Sequence, residues 1–276
     1  MQSKTLSPKF DNLPDGRWVV ADARCRVGET NARILAPDGA LLSRVCLGDG
    51  IAHLQCDRIG GIWVSYFDEG VGGNLGWGDP GNPEPVGIEG VMRFTADGAV
   101  SWSPGSLLHP SVFDCYAMNV GDDGVWLYYY TDFPIAHVPF DGVLRQWRND
   151  EVRGASIVAA DRDLAVLLGG YQVRGYPDES GTGALLRLGE NGRAEVLHRF
   201  ALDPSMKAAL NNRYAFARRG RSFRRRQHLD RHHGPGLRRR SCSYPTALSH
   251  IRSFAAQRRI QASLTSWTSA SDSRAD

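Results

Sequence analysis

The sequence predicts an all-β fold assembled from repeated four-stranded antiparallel units, and three observations carry that prediction. Asp-Gly and Asn-Gly pairs recur between short apolar runs. The runs themselves alternate apolar and polar residues, the period expected of a strand with one face in a core. Tryptophan returns at one place in the pattern, in LPDGRWVVADA, QCDRIGGIWVSYFDEG and NVGDDGVWLYYYTD, where Trp18, Trp63 and Trp126 each follow the last glycine of the turn by two residues.

Taken in order, each unit holds two hairpins. The first joins LPDGRWVVADA to NARILAPDGALLSRV, and the second joins QCDRIGGIWVSYFDEG to GVMRFTADGAVSWSP. The third pairs NVGDDGVWLYYYTD with IAHVPFDGVLRQW, and the fourth pairs VAADRDLAVLLGGY with ALLRLGENGRAEVLHRF, Ala165 taking the place of the tryptophan. Each turn offers residues that accept left-handed or tight backbone geometry, and each flanking run is long enough for one strand. Eight hairpins make sixteen strands in four groups. Units of about 40 to 60 residues fit the blades of a β-propeller, whose sheets pack face to face around a channel. A pair of β-sandwiches would also show many short strands, but not one repeated unit.

The segments DRIGGIWVSYFDEG and EGVMRFTADGAVSW resemble propeller repeats of bacterial two-component regulators and of NHL-type and lactonase-type propellers. The resemblance rests on an Asp-turn-Gly-x-Trp strand followed by a strand ending in Arg-Phe, and at the level of pattern it covers residues 10 to 200. CLGDGIAHLQ, FDEG and YYTDFP look like a group of uncharacterised bacterial propeller-like proteins. The resemblance implies a propeller-like domain over residues 10–210 and implies no activity, because propellers host many.

Charge divides the chain. The net charge of +3 over 276 residues combines an acidic repeat region with an Arg-rich end, for 15 of the 30 arginines and only 3 acidic residues fall after Asn212. The stretch RRGRSFRRRQHLDRHHGPGLRRR could neutralise phosphates, which is the mechanism of a salt-sensitive nucleic-acid arm. Its lack of lysine and of interleaved aromatics in the densest part speaks against that use, so nucleic acid is not expected as a partner. Shifting the frame of a GC-rich coding sequence turns Arg and His runs into Val, Ala, Thr and Asp. Residues from about 218 onward therefore read as a frame-shifted fifth unit, and residues 211–276 as a tail with no stable fold of its own. On this reading four units are fewer than the intact protein was built to hold.

Five cysteines, Cys25, Cys46, Cys56, Cys115 and Cys242, show neither CxxC pairs nor Cys/His zinc spacing. They read as free thiols of a cytoplasmic protein. MQSKTLSPKF has no apolar signal core, and Asp161, Arg162 and Asp163 interrupt the most apolar run, so no membrane partner is expected.

Propeller topology gathers the loops before each first strand and those between second and third strands at one end. There the sequence puts GDGIAH, VFDCYA, VRGAS, ADARCRVGET, YFDEGVGGNLGWGDPGNPEP, YYTDFP and GGYQVRGYPDES. These are long, aromatic and acidic, whereas the opposite end holds plain hairpins, so the loop end is where function is expected. Asp49, His53, Asp68, Glu69, Asp114 and Asp132 are the candidate ligand-binding residues, with Tyr116, Tyr130 and Tyr171 as aromatic neighbours. The leading expectation is a non-catalytic binding or sensing scaffold for a small molecule, glycan or protein. The alternative is a metal-dependent hydrolase or lyase using Asp49, Asp68, Glu69, Asp114 and Asp132 around a divalent cation, the one cofactor such a loop end could hold. Turn aspartates that bond only to backbone amides are the structural reading of the same residues. GGNLGWG lacks a following Lys-Ser/Thr, and no GxSxG, HExxH or calcium-loop spacing occurs, so nucleotide binding, serine hydrolysis and zinc proteolysis are unsupported.

Overall fold

A computed structural model of the chain describes residues 8–171, 178–211, 215–218 and 221–224, with the backbone alone for the last two stretches and for residues 209 and 211. Sixteen strands form four antiparallel four-stranded sheets, each in simple sequence order. The first holds β1 (Lys9–Asn12), β2 (Trp18–Ala21), β3 (Ala32–Leu35) and β4 (Leu41–Val45). The second holds β5 (Ile51–Cys56), β6 (Ile62–Tyr66), β7 (Val91–Phe94) and β8 (Val100–Trp102). The third holds β9 (Asp114–Val120), β10 (Gly124–Tyr130), β11 (Ile135–Pro139) and β12 (Arg145–Trp147). The fourth holds β13 (Ile157–Asp161), β14 (Leu164–Leu168), β15 (Thr182–Leu188) and β16 (Ala194–Ala201). All eight sequence hairpins are present, and the fold is all-β and propeller-like.

First strands stand side by side, β1 against β5, β5 against β9 and β9 against β13, so they line the axis while fourth strands lie outside. Three apolar cores join the sheets. Val19, Ala21 and Ile34 meet Leu54, Val64 and Phe94; Trp63 and Val91 meet Met118, Leu127 and Tyr129; Trp126, Tyr128 and Trp147 meet Val158, Leu167 and Leu186. Among the described residues no comparable core joins the fourth sheet to the first. Trp18 and Phe10 instead stand 41% and 46% exposed on the outer face of the first sheet.

The tryptophans are therefore not all equivalent. In the second sheet the three-residue turn Arg58-Ile59-Gly60 closes with a bond from Asp57 N to Gly61 O, and Gly60 supplies the positive φ of +93°. The first sheet has the same turn in Pro14-Asp15-Gly16, with φ of +89° at Gly16. Counted from these glycines, Trp18 matches Ile62 and Val19 matches Trp63, and one residue of offset moves a side chain to the other face of the sheet. In the fourth sheet the two-residue turn Arg162-Asp163 makes Val166, not Ala165, the counterpart of Trp126.

A polar side chain on each of the first three inner strands fastens one sheet to the next. Asp11 Oδ2 accepts from Cys56 N at 2.7 Å. Gln55 Oε1 accepts from Val120 N at 2.8 Å while its Nε2 donates to Met118 O at 3.2 Å. Asn119 Nδ2 donates to Val158 O at 3.2 Å. Each satisfies backbone groups that would otherwise be buried where adjacent sheets meet without a strand ladder. The matching position in the fourth sheet is Ala159, paired with Val166.

Three helical segments interrupt the β pattern among the described residues: α1 (Asp68–Gly72) in the β6–β7 connection, a 3-10 turn at Gly105–Leu107 after β8, and α2 (Pro204–Asn211) after β16. Beyond α2, β17 (Ala215–Arg218) pairs with β18 (Arg221–Arg224), and β17 lies beside β13 and β9. The rest of the expected tail lies outside the described residues.

Candidate functional site

The up-and-down order of each sheet puts the β2–β3, β6–β7, β10–β11 and β14–β15 connections at the same end. Asn31 and Asn149 anchor them. Asn31 Oδ1 accepts from Leu47 N at 2.9 Å and its Nδ2 donates to Asp22 O and Gly48 O, at 2.8 and 2.9 Å. Asn149 Oδ1 accepts from Val152 N at 3.1 Å, and its Nδ2 donates to Phe133 O and Val152 O. Both are buried, so each side-chain amide does for a loop what a ladder does for a strand.

At the first two sheets the carboxylates are engaged inside the protein. Asp49 is 3% exposed; its oxygens accept from Arg24 Nε and Nη2 at 2.9 and 3.0 Å, and Oδ1 also accepts from Cys25 N at 2.7 Å. Glu69, in the first turn of α1, meets Arg24 Nη1 at 2.5 Å. Burial works against the charge on Arg24, but the bonds and charges of Asp49 and Glu69 outweigh it and raise its pKa. The Arg24 guanidinium also lies 5.7 Å from the centre of the Phe67 ring. Glycine makes this packing possible: a Cβ on Gly70 would sit 2.5 Å from Asp49 O, and one on Gly50 2.5 Å from the Gly70 backbone. The glycine-rich loop is tied down too, because Trp77 is buried and its Nε1 donates to Cys25 O at 2.8 Å.

His53 is half-buried on β5, with Nδ1 2.8 Å from Ser65 Oγ. A serine beside a histidine suggests a nucleophile and its base, but Ser65 is 0% exposed and no substrate could reach it. Ser65 instead continues toward the buried Cys115, whose thiol is pushed up to about 12, chiefly by burial.

At the second, third and fourth sheets the end is aromatic. Phe133 lies among Tyr116, Tyr128, Tyr130 and Tyr171, with ring centroids 5.2, 5.5, 5.7 and 5.6 Å away. The Tyr116 and Tyr171 hydroxyls are 2.9 Å apart. Burial, the Tyr171 hydroxyl and the nearby charges of Asp114 and Asp68 together push the Tyr116 phenol well above its ordinary value. Asp114 opens β9 opposite Tyr130, Asp68 is exposed at the start of α1, and Asp132 is exposed at a φ of +67° beside Phe133. Tyr130 is 43% exposed and Tyr116 and Tyr171 are half-buried, and Asp114 and Asp68 lie near enough to Tyr116 for their charges to act on it.

The six candidates thus divide. Asp49 and Glu69 belong to the Arg24 clip, His53 to an internal polar chain, and Asp68 and Asp114 to the surroundings of Tyr116, while Asp132 is exposed beside Phe133 and its charge acts on Arg148. Among the described residues no three His, Cys, Asp or Glu side chains converge as a metal-ligand set. Sequence reading missed Arg24 and Phe133, because neither stands out until a fold brings distant loops together. Phe133 in YYTDFP was the more visible of the two, an aromatic between a turn aspartate and a proline.

Fold and site define a β-propeller-like protein with an aromatic and acidic loop end. A model of the YxzG family matches residues 91–168, from β7 through β14. No curated protein matches the chain. Among solved structures the chain is similar to virginiamycin B lyase from Staphylococcus aureus, at 12% identity and a TM-score of 0.46 over 79% of this chain and 61% of that one. It is also similar to the PQQ-bound aldose sugar dehydrogenase of Streptomyces coelicolor, at 13% identity and a TM-score of 0.39 over 72% of this chain and 69% of that one. A Bacteroides caccae protein of unknown function gives 11% identity and a TM-score of 0.39 over 72% of this chain and 62% of that one. The chain therefore spans about three fifths of the length of the lyase. Among the described residues no helix is long and apolar enough to cross a membrane.

Proposed function

We propose that the protein is a binding scaffold whose ligand seats on the surface formed by Tyr116, Tyr130 and Tyr171 with Asp68, Asp114 and Asp132. The observation that carries this reading is the joining of accessible aromatic rings to carboxylates at the loop end, while Asp49 and Glu69 are spent on Arg24. Rings offer faces to C–H groups or cations, and carboxylates accept hydrogen bonds, so the ligand is a donor-rich neutral or cationic small molecule such as a sugar or an organic ammonium. Anionic ligands meet the charge of three aspartates and are disfavoured. A metal-dependent hydrolase finds less support, since Asp49 already spends its oxygens on internal donors. A cytoplasmic location belongs to the same reading, supported by Cys25, Cys46, Cys56 and Cys115 all being free thiols.

Saturation-transfer NMR against neutral sugars, quaternary ammonium compounds and their carboxylated analogues tests the proposal. Binding should be confined to the neutral or cationic members, and Tyr171→Ala should weaken it at least tenfold. Binding by the anionic members alone, or affinity unchanged in Tyr171→Ala, would overturn it.

The same proposal leaves the Arg-rich stretch without a nucleic-acid role and reads it from about residue 218 onward as a shifted-frame fifth unit. The position of β17 beside β13, where a fifth first strand belongs, supports this. The genomic DNA decides it: the shifted frame should encode a turn and a Trp-bearing strand, and a stop within a few codons removes the idea.

A further inference from the structure

Away from the aromatic rings, two thiols lie close together. Cys25 lies in the β2–β3 connection and Cys46 directly follows β4, so two separate loops of the first sheet bring their sulfurs to 3.9 Å. A disulfide places its sulfurs about 2.05 Å apart, so the two side chains must approach by about 2 Å to form one. The two residues differ in environment. Cys25 is 1% exposed, with Sγ 3.4 Å from Glu29 O and 3.6 Å from Arg26 O, whereas Cys46 is half-buried and reachable from solvent. Cys46 is held below its ordinary value, chiefly by the hydrogen bond from Cys25 and further by the Gly48 backbone, against the effect of burial. Cys25 is pushed up by that same bond, by burial and by the charges of Glu29 and Asp49.

We propose that Cys25 and Cys46 form a reversible intramolecular disulfide, with Cys46 as the attacking sulfur and Cys25 as the resolving one, and with a hydroperoxide as oxidant. In the first step the Cys46 thiolate attacks the terminal peroxide oxygen. An S–O bond forms, the O–O bond breaks, and the departing hydroxide takes a proton to become water, leaving Cys46 as a sulfenic acid. In the second step the Cys25 sulfur attacks the Cys46 sulfur, its proton leaves with the hydroxyl as a second water, and the S–S bond forms. Two thiols and one hydrogen peroxide thereby give one disulfide and two waters, and a dithiol reductant reverses the change by exchange.

The consequence reaches beyond the sulfurs. The backbone N–H of Cys25 donates to Asp49 and its carbonyl accepts from Trp77, so any adjustment at Cys25 acts on the Arg24 clip and on the long β6–β7 loop together. The proposal is independent of which ligand the aromatic surface takes.

The test treats the full chain with stoichiometric hydrogen peroxide, alkylates the remaining thiols and maps the peptides by mass spectrometry without reduction. A Cys25–Cys46 cross-linked peptide is expected, lost in Cys46→Ser, restored to thiols by dithiothreitol, and unchanged in a Cys242→Ser background. Its rate of formation should fall as pH is lowered from 7 to 5 and the thiolate is protonated. The wild-type peptide map needs no variant to fold. Cys46 advancing to sulfinic acid while Cys25 stays alkylatable, or a bridge formed only through Cys242, would overturn the proposal.

Discussion

Asp57 carries the most demanding local requirement in the fold, and its replacement gives a sharp prediction. Its side chain is 0% exposed and accepts four hydrogen bonds: from Ile59 N at 3.0 Å, Gly61 N at 2.8 Å, Trp63 Nε1 at 2.9 Å and Arg93 Nε at 2.7 Å. Asp57→Ala leaves Arg93, itself only 19% exposed, beside an indole N–H and two turn amides with no acceptor. Breaking a buried ion pair by removing one partner costs about 3–5 kcal/mol. With a urea slope of about 2–3 kcal/mol per molar for a unit of this size, the unfolding midpoint should fall by about 1–2 M. Burial pushes the Asp57 carboxyl up, but the bonds from Arg93, Gly61 and Trp63 prevail and hold it below its ordinary value. Its stabilisation is thus present above the unfolded value of about 3.9 and is lost as pH falls through the lower folded value. The gap between wild type and Asp57→Asn, measured by urea denaturation, should stay level near neutrality and narrow below about pH 4. A loss under about 0.5 kcal/mol for Asp57→Ala, the range of an ordinary surface change, would refute the reasoning.

Two further outcomes follow from the packing. Trp63 meets Trp102 and Phe140 at 5.1 and 6.4 Å, so Trp63→Ala should cost about 3–5 kcal/mol, while Trp18→Ala on the exposed outer face should stay within about 0.5 kcal/mol; thermal melts of the two variants check this. Gly70→Ala drives a methyl group into Asp49 O, so it should destabilise by about 1–3 kcal/mol and speed amide exchange across residues 67–72, whereas Gly72→Ala, whose Cβ would meet only Phe113 at 3.9 Å, should not speed that exchange.

The eight hairpins were legible in sequence because turn chemistry is local: Asp-Gly and Asn-Gly specify backbone geometry wherever they stand. The face of a strand was less legible. Aligning on Gly61 made Trp18 look like Trp63, yet Gly60 is the residue at positive φ, and that single step exposes one tryptophan and buries the other. Asp11, Gln55 and Asn119 gave no signal at all, since a polar residue on an apolar strand reveals its partner only when a neighbouring inner strand is in place. The loop-end candidates fared similarly. Their grouping at one end followed from topology, but Asp49 and Asp114 look alike in sequence; Arg24, 25 residues before Asp49, makes one of them a structural clip.

The central claim, that the aromatic and acidic loop end is the ligand site, is tested most directly by hydrogen exchange with and without a ligand drawn from the neutral and cationic panel. Protection is predicted in residues 67–72, 112–118, 128–134 and 169–171. Protection confined to the turns at the opposite end, 57–61, 95–99, 121–124 and 140–144, would contradict it.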